Sequence, residues 1–305
     1  MYKIIVICGP TGVGKTSLAM ELASRLNAEI ISADSRQIYR NMDIGTAKPT
    51  KDEQKKIPHH LIDIKNPDEK YTAGDFAKDA DVKIREIYQR NNIPFVVGGT
   101  GFYIKALING LCQAPQIPPK VRKELKKRIN SQNLTDFYNK LKQIDSVSAR
   151  KINPHDKNRI VRALEVFEAT GKPLSSFWKT QDEHKRYNHF TIFLTADRKW
   201  LYRKIDERVD KMISQGLRKE VENLLQKGFQ PNDPGMNTLG YKEMISYLQG
   251  KMSWEDTVDS IKKNMRHYAK RQFTWFKKAE INLTIDINAA KLSDIEKRII
   301  SFLGE

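Results

Sequence analysis

Eight residues near the start of the chain, Gly9-Pro10-Thr11-Gly12-Val13-Gly14-Lys15-Thr16, fit the pattern G-x-x-x-x-G-K-[ST] without a mismatch. Such a loop offers backbone N–H groups and a helix N-terminus to phosphate oxygens. Lys15 would neutralise those oxygens, and the Thr16 hydroxyl would hold Mg²⁺. The expected site therefore takes a di- or triphosphate on Gly9 through Thr16, with Mg²⁺ as cofactor. A loop that keeps the pattern and binds nothing is disfavoured, because an apolar strand precedes it and a helical pattern follows, as the motif requires.

A nucleotide-hydrolysing enzyme usually adds a second apolar strand that ends in a metal-holding aspartate. Here the candidate strand, Ile93 to Val97, runs instead into Gly98-Gly99-Thr100-Gly101. Glycines at a strand end suit close backbone approach better than metal ligation. The better carboxylate is Asp34, just beyond the strand Ala28–Ser32. In open α/β sheets ligands gather outside the carboxyl ends of the strands, so Asp34 falls near the phosphates. It suits a general base, and equally a helix cap or an outer Mg²⁺ partner. Two enzyme classes fit this set. One is a nucleoside or small-molecule kinase; the other is a transferase that holds a diphosphate leaving group in the loop. A third class, an RNA-binding protein with a relic loop, would bind RNA and release no diphosphate.

The elements that must position these groups alternate. Apolar runs at residues 2–8, 28–32 and 93–97 read as buried strands, with helices over Lys15 to Leu26 and Phe76 to Asn91 between them. That alternation predicts an α/β fold with a parallel, doubly wound sheet. From 113 to 189 only helical signals appear: Pro119 to Ser131, Leu134 to Ile144, Lys157 to Thr170 and a short piece near Leu174 to Trp178. Strands return at 188–195 and 281–287, around helices at Lys199 to Lys227 with Gly216 as a breaking point, Gly240 to Gln249 and Trp254 to Lys277. The expected organisation is a P-loop core of residues 1–112 and 190–305, interrupted by an all-helical insertion at 113–189.

The 305-residue chain carries 54 Lys and Arg against 37 Asp and Glu, a net charge of +17. The excess is uneven: +3 in residues 1–110, +9 in 111–190 and +6 in 191–280. Lys120 to Arg128 holds six basic groups and one acid, and Lys262 to Lys278 holds seven and none, with Tyr268, Phe273, Trp275 and Phe276 interleaved. One such run is an ordinary solvated face; two in one basic chain point to a phosphate backbone, and a metabolite kinase has no evident need for them. No stretch approaches the roughly 18 apolar residues of a membrane span. The two cysteines, Cys8 in an apolar run and Cys112, give neither a disulfide framework nor a zinc pattern. No leader precedes the first strand, so a cytoplasmic protein is expected.

The runs Ser32–Tyr39 (SADSRQIY), Met42–Pro49 (MDIGTAKP), His59–Asp63 (HHLID), Tyr71–Phe76 (YTAGDF), Gly98–Tyr103 (GGTGFY) and Arg271–Trp275 (RQFTW) resemble the bacterial tRNA dimethylallyltransferases, the tRNA isopentenyltransferase family. The resemblance runs from residue 4 to about 278. It implies transfer of a dimethylallyl group from dimethylallyl diphosphate to N6 of adenosine-37, in the anticodon loop of tRNAs reading codons that start with U. It implies that the donor's diphosphate, with Mg²⁺, fills the P-loop, and that Asp34 is the general base. Arg208 matches the family's pyrophosphate arginine; alone it would read as a surface helical residue. By the same resemblance Asp34, Ser35, Arg36, Gln37, Thr100, Arg122, Asn158, Arg159, Ile160, Val161, Arg162, Thr238, Leu239, Gly240, Tyr241 and Lys242 contact the tRNA anticodon stem-loop. Thr100 alone could cap a helix, and His60 reads as a buried structural histidine. The chain is expected to work as a monomer.

Overall fold

The computed structural model describes residues 1–111, 115, 117–131, 133–180 and 186–304. In chain order the elements are β1 (Lys3–Cys8), α1 (Lys15–Arg25), β2 (Ala28–Ser32), α2 (Lys51–Lys56), β3 (His59–His60), α3 (Ala73–Gln89), β4 (Ile93–Gly98), α4 (Gly101–Asn109), α5 (Pro119–Ser131), α6 (Leu134–Ile144), α7 (Ser146–Lys151) and α8 (Lys157–Thr170). A 3₁₀ turn (Leu174–Thr180) follows, then β5 (Asn188–Thr195), α9 (Arg198–Ser214), α10 (Leu217–Gln226), α11 (Tyr241–Leu248), α12 (Trp254–Phe276), β6 (Leu283–Asp286) and α13 (Leu292–Leu303).

All strand pairs are parallel, in the order β3-β2-β4-β1-β5-β6. The central strand β1 shows why its sequence is apolar throughout. Ile5 and Ile7 enter one apolar layer, Ile4, Val6 and Cys8 the other, and all five are fully buried. A strand covered on both faces has no solvent side to mark with polar residues. Burial pushes the Cys8 thiol up to about 12, which makes it an inert core group. Cys112 lies outside the described residues.

Contacts divide the chain into one unit of Met1–Ile108 with Lys185–Glu305 and a second of Asn109–His184. The α/β fold expected from the sequence is the fold of the first unit. The second is helical in its described residues, around Leu125, Ile129, Phe137, Leu141, Ile160 and Leu164. The sequence boundary at 190 falls inside β5, which begins at Asn188. Helix α3 starts earlier than its apolar pattern suggests, because Thr72 and Asp75 form a reciprocal capping box. The helical stretch expected at 199–227 breaks at Gly216 as expected, into α9 and α10. Among the described residues no helix is long and apolar enough to cross a membrane.

Candidate active site

The motif sits where β1 hands the chain to α1. Gly14 occupies the helix N-cap with φ +92°, a left-handed conformation that a side chain would strain, and no side chain caps the helix. The first N–H groups of α1 are thus left for a ligand, at the positive end of the helix dipole. The Lys15 ammonium donates to the Pro10 carbonyl at 2.7 Å, folded over its own loop. Its pKa falls from 10.5 to about 8: burial dominates, the Arg208 guanidinium adds to it, and the Asp34 carboxylate opposes it.

Arg208 comes from α9. Its Nη2 donates to the Thr46 carbonyl at 3.3 Å, while its Nε is buried without a hydrogen-bond partner. Burial lowers its pKa too, again against the pull of Asp34. A buried guanidinium N–H with no acceptor is costly, and an anion seated beside Lys15 would relieve it. The Thr46 carbonyl is held in place by a carboxylate. Glu220 of α10 accepts from the backbone N–H groups of Asp43 (2.8 Å), Ile44 (2.8 Å) and Gly45 (3.1 Å), and from the Tyr241 hydroxyl (2.5 Å).

Asp34 follows β2 and caps no helix. Its Oδ1 accepts from the Arg36 N–H at 2.8 Å, closing a short turn. The neighbouring Ser35 N–H donates to Thr100 Oγ1 at 3.1 Å, and the Tyr268 hydroxyl of α12 lies close to Thr100. The Thr100 side chain therefore reaches the Asp34 loop instead of capping α4. Burial and the Asp34 charge raise the Tyr268 hydroxyl pKa, so it stays protonated. Arg36 Nη1 donates to the Pro234 carbonyl at 3.2 Å, and Gln37 accepts from Ser32 Oγ at 2.9 Å.

The glycine turn does make close approaches, and its partners are parts of the protein. A Cβ would lie 2.1 Å from Ala33 O at Gly98, 2.1 Å from Gln272 Nε2 at Gly99 and 2.1 Å from the Trp275 ring at Gly101. His60 is half-buried and structural: its Nε2 lies 2.6 Å from Glu29 Oε2. Burial alone would raise the Glu29 carboxyl, but hydrogen bonds from Arg90, Asn92 and His60 overcome it and hold the group at about 2.

The remaining expected contact residues divide by burial. In the segment entering α11, Thr238 and Gly240 are buried, Leu239 is half-buried and Lys242 is exposed. Tyr241 is fully buried, with its hydroxyl on Glu220 and its ring where a Cβ of Gly45 would stand, so its side chain is unavailable to RNA. The same correction applies in the second unit. Ile160 is 0% exposed and Val161 is 7%, both inside that unit's core. In a helix the same face recurs only every three or four residues, so the side chains of a contiguous stretch cannot all meet one ligand. Asn158 and Arg159 are exposed, and Arg159 pairs with Asp156 at 3.3 Å. Arg122 and Arg162 both pair with the buried Glu165, at 3.1 and 3.8 Å.

Tyr268, Gln272 and Glu220 were not read as site residues from the sequence. A polar residue on the buried stripe of α12, with Met265, Ala269 and Phe276, was the available signal for Gln272.

A family model described as IPP transferase matches residues 37–279. The tRNA dimethylallyltransferase 2 of Geotalea uraniireducens (strain Rf4) is 45% identical over 285 residues, 92% of this chain and 91% of that protein. The crystal structure of the full-length tRNA isopentenylpyrophosphate transferase of Bacillus halodurans aligns with a TM-score of 0.75 and 39% identity, over 100% of this chain and 97% of that one. A eukaryotic dimethylallyltransferase, seen in crystallographic snapshots acting on tRNA, aligns with a TM-score of 0.82 and 31% identity, over 98% of this chain and 78% of that one. With a model match across most of its length and relatives this similar, the chain belongs to the IPP transferase family.

Proposed function

We propose that this protein transfers the dimethylallyl group of dimethylallyl diphosphate to N6 of adenosine-37 in tRNAs reading codons that begin with U, releasing diphosphate. One observation carries the reading: two half-buried cations, Lys15 and Arg208, the second with a buried guanidinium N–H that has no partner, face one carboxylate, Asp34, at the carboxyl ends of β1 and β2. The reaction needs that pairing. The N6 amine is a weak nucleophile because its lone pair is delocalised into the ring. Asp34 takes its proton as the N6–carbon bond forms. The bond from the allylic carbon to the diphosphate oxygen breaks, and its electron pair leaves with the diphosphate. Lys15, Arg208 and the N–H groups opening α1 receive that charge. A buried, unpaired guanidinium N–H is preorganised for this and needs no reorganisation during the step.

The donors present fit Mg²⁺. Thr16 offers a hydroxyl beside the loop that would hold the phosphates, and no group of three or more His, Cys, Asp or Glu suited to a protein cage occurs among the described residues. Mg²⁺ is commonly held by one or two such groups together with substrate phosphates and waters. When bound, it would add to the neutralisation of the leaving diphosphate.

The adenine must leave its stack to reach Asp34. Arg36, Thr100 and Lys242 in the first unit, and Arg122, Asn158, Arg159 and Arg162 in the second, are proposed to hold the anticodon arm, largely through phosphates. The net charge of +17 supports such a partner. We place the protein in the cytoplasm, as a monomer. The kinase alternative loses its support in the family match. The test is incubation with unmodified tRNA, dimethylallyl diphosphate and Mg²⁺, followed by nuclease digestion and mass mapping. Prenylated adenosine at position 37 is expected, and ATP with nucleosides should give no phosphate transfer. Intact tRNA and donor with no product would reject the assignment.

A further inference from the structure

We infer that Gln272 is a positioning residue that fixes the diphosphate loop against the Gly98–Gly101 turn. The inference rests on the proposed use of the P-loop for diphosphate. Gln272 lies on α12, 6% exposed, and both ends of its amide are engaged. Oε1 accepts from the Thr11 N–H at 2.8 Å, and Nε2 donates to the Gly99 carbonyl at 2.9 Å. One end holds the P-loop and the other holds the turn after β4. Gly99 makes room for it, since a Cβ there would stand 2.1 Å from Nε2.

Its neighbours on the helix face belong to the same contact. Tyr268, four residues earlier, lies beside Thr100; Trp275, three residues later, covers Gly101. Spacings of four and three lie on one stripe of a helix. The stripe 268-272-275 therefore grips residues 99–101, and Gln272 joins that grip to the P-loop. This explains why the RQFTW run carries a glutamine and a tryptophan three residues apart.

The consequence is geometric. Thr11 N–H is committed to Gln272, so the phosphate-facing donors are the N–H groups further along the loop. Thr100, at the other end of the link, holds the Ser35 N–H beside Asp34. Gln272 thus sets how far the diphosphate side of the site lies from the base side. It touches no expected substrate atom. Leucine or methionine would fill the same volume, so packing alone does not call for a buried amide, which needs both its partners.

The test uses Gln272→Met and Gln272→Glu in the full chain. Four readouts are taken: melting temperature, affinity for inorganic diphosphate with Mg²⁺ by calorimetry, tRNA affinity, and kcat with KM for the donor. Gln272→Met leaves Thr11 N–H and Gly99 C=O without partners; diphosphate binding should weaken about tenfold. Its kcat should fall about 10- to 100-fold through misplacement, with tRNA affinity within about twofold of the parent. Gln272→Glu keeps the acceptor for Thr11 and loses the donor for Gly99. Its added negative charge beside the P-loop should weaken diphosphate binding further than Gln272→Met does, and the loss should ease as pH falls and the carboxyl takes up a proton it can donate to Gly99, a pH profile that a merely structural role would not produce. Unchanged diphosphate affinity and kcat in Gln272→Met would overturn the inference, as would losses in both variants that simply follow melting temperature. If Gln272→Met fails to fold, the pH profile of Gln272→Glu decides alone, and a loss that does not ease at lower pH overturns the inference. A parent protein that binds diphosphate but transfers no prenyl group would refute the proposed reaction, while the diphosphate arm still judges Gln272. A parent that binds no diphosphate overturns both.

Discussion

Raising the pH from 7 to 9.5 should weaken diphosphate binding through a single group, Lys15. In the free protein its pKa is lowered to about 8 by burial and by Arg208. A bound diphosphate brings its charge against the ammonium and returns the pKa towards its ordinary range. Binding then takes up a proton whenever Lys15 starts out neutral. With a free-state pKa near 8, the neutral form at pH 9.5 outnumbers the charged form about 30-fold, so affinity should drop on the order of 30-fold relative to pH 7. Below pH 8 the loss is absent, because the ammonium is already charged. Stability follows the matching sign. Between about pH 8 and 10.5 the unfolded chain keeps this proton and the folded chain releases it, so stability of the free protein rises with pH. The gain is on the order of 3 kcal/mol once pH passes the unfolded value. The assay is calorimetric titration with inorganic diphosphate at fixed Mg²⁺, run in parallel on Lys15→Arg, which stays charged throughout. Subtracting its profile removes the titration of diphosphate itself. Parallel profiles for the two proteins would show that Lys15 does not titrate in this range.

Three further outcomes follow from particular contacts. Glu220→Ala removes the acceptor shared by three loop N–H groups and Tyr241; a stability loss of about 2 kcal/mol and severalfold weaker diphosphate binding are expected by thermal melting and calorimetry, since Arg208 leans on that loop through Thr46. Gly98→Ala drives a methyl group to 2.1 Å from the Ala33 carbonyl, so its melting temperature should fall by the equivalent of about 3 kcal/mol or more, and an unchanged melt would show that the strand end can shift. Arg159→Ala should weaken tRNA binding evenly across sequences and reduce the slope of log affinity against log salt by about 0.7 to 0.9.

The P-loop was legible in the sequence because its chemistry is local: the glycines, Lys15 and Thr16 are neighbours in the chain and in space. The strand β1 was legible because burial on both faces leaves a run with no polar interruption. Arg208 was not legible from its own surroundings, since the charge pattern of α9 is that of an exposed helix and only the packing of the whole unit buries its guanidinium Nε. Ile160, Val161 and Tyr241 lie in contiguous contact stretches that the resemblance implies, but their own side chains turn into the core. Gln272 went unread for the opposite reason. Its partners, Thr11 and Gly99, are 261 and 173 residues away, and no local pattern pairs them. The short strand β3 has two residues and no periodicity to detect. The glycine turn was read for close approach, but its partners, Ala33, Gln272 and Trp275, come from distant elements that only the fold brings together.

The measurement closest to the central claim is single-turnover prenyl transfer by Asp34→Asn, with tRNA and diphosphate affinities taken on the same protein. Asparagine keeps the side-chain oxygen that accepts from the Arg36 N–H and removes the base. Binding of both ligands should stay within a few-fold of the parent, while the transfer rate falls about 10²- to 10⁴-fold. A transfer rate near that of the parent, with both ligands bound, would contradict the assignment of Asp34 and the chemistry built on it.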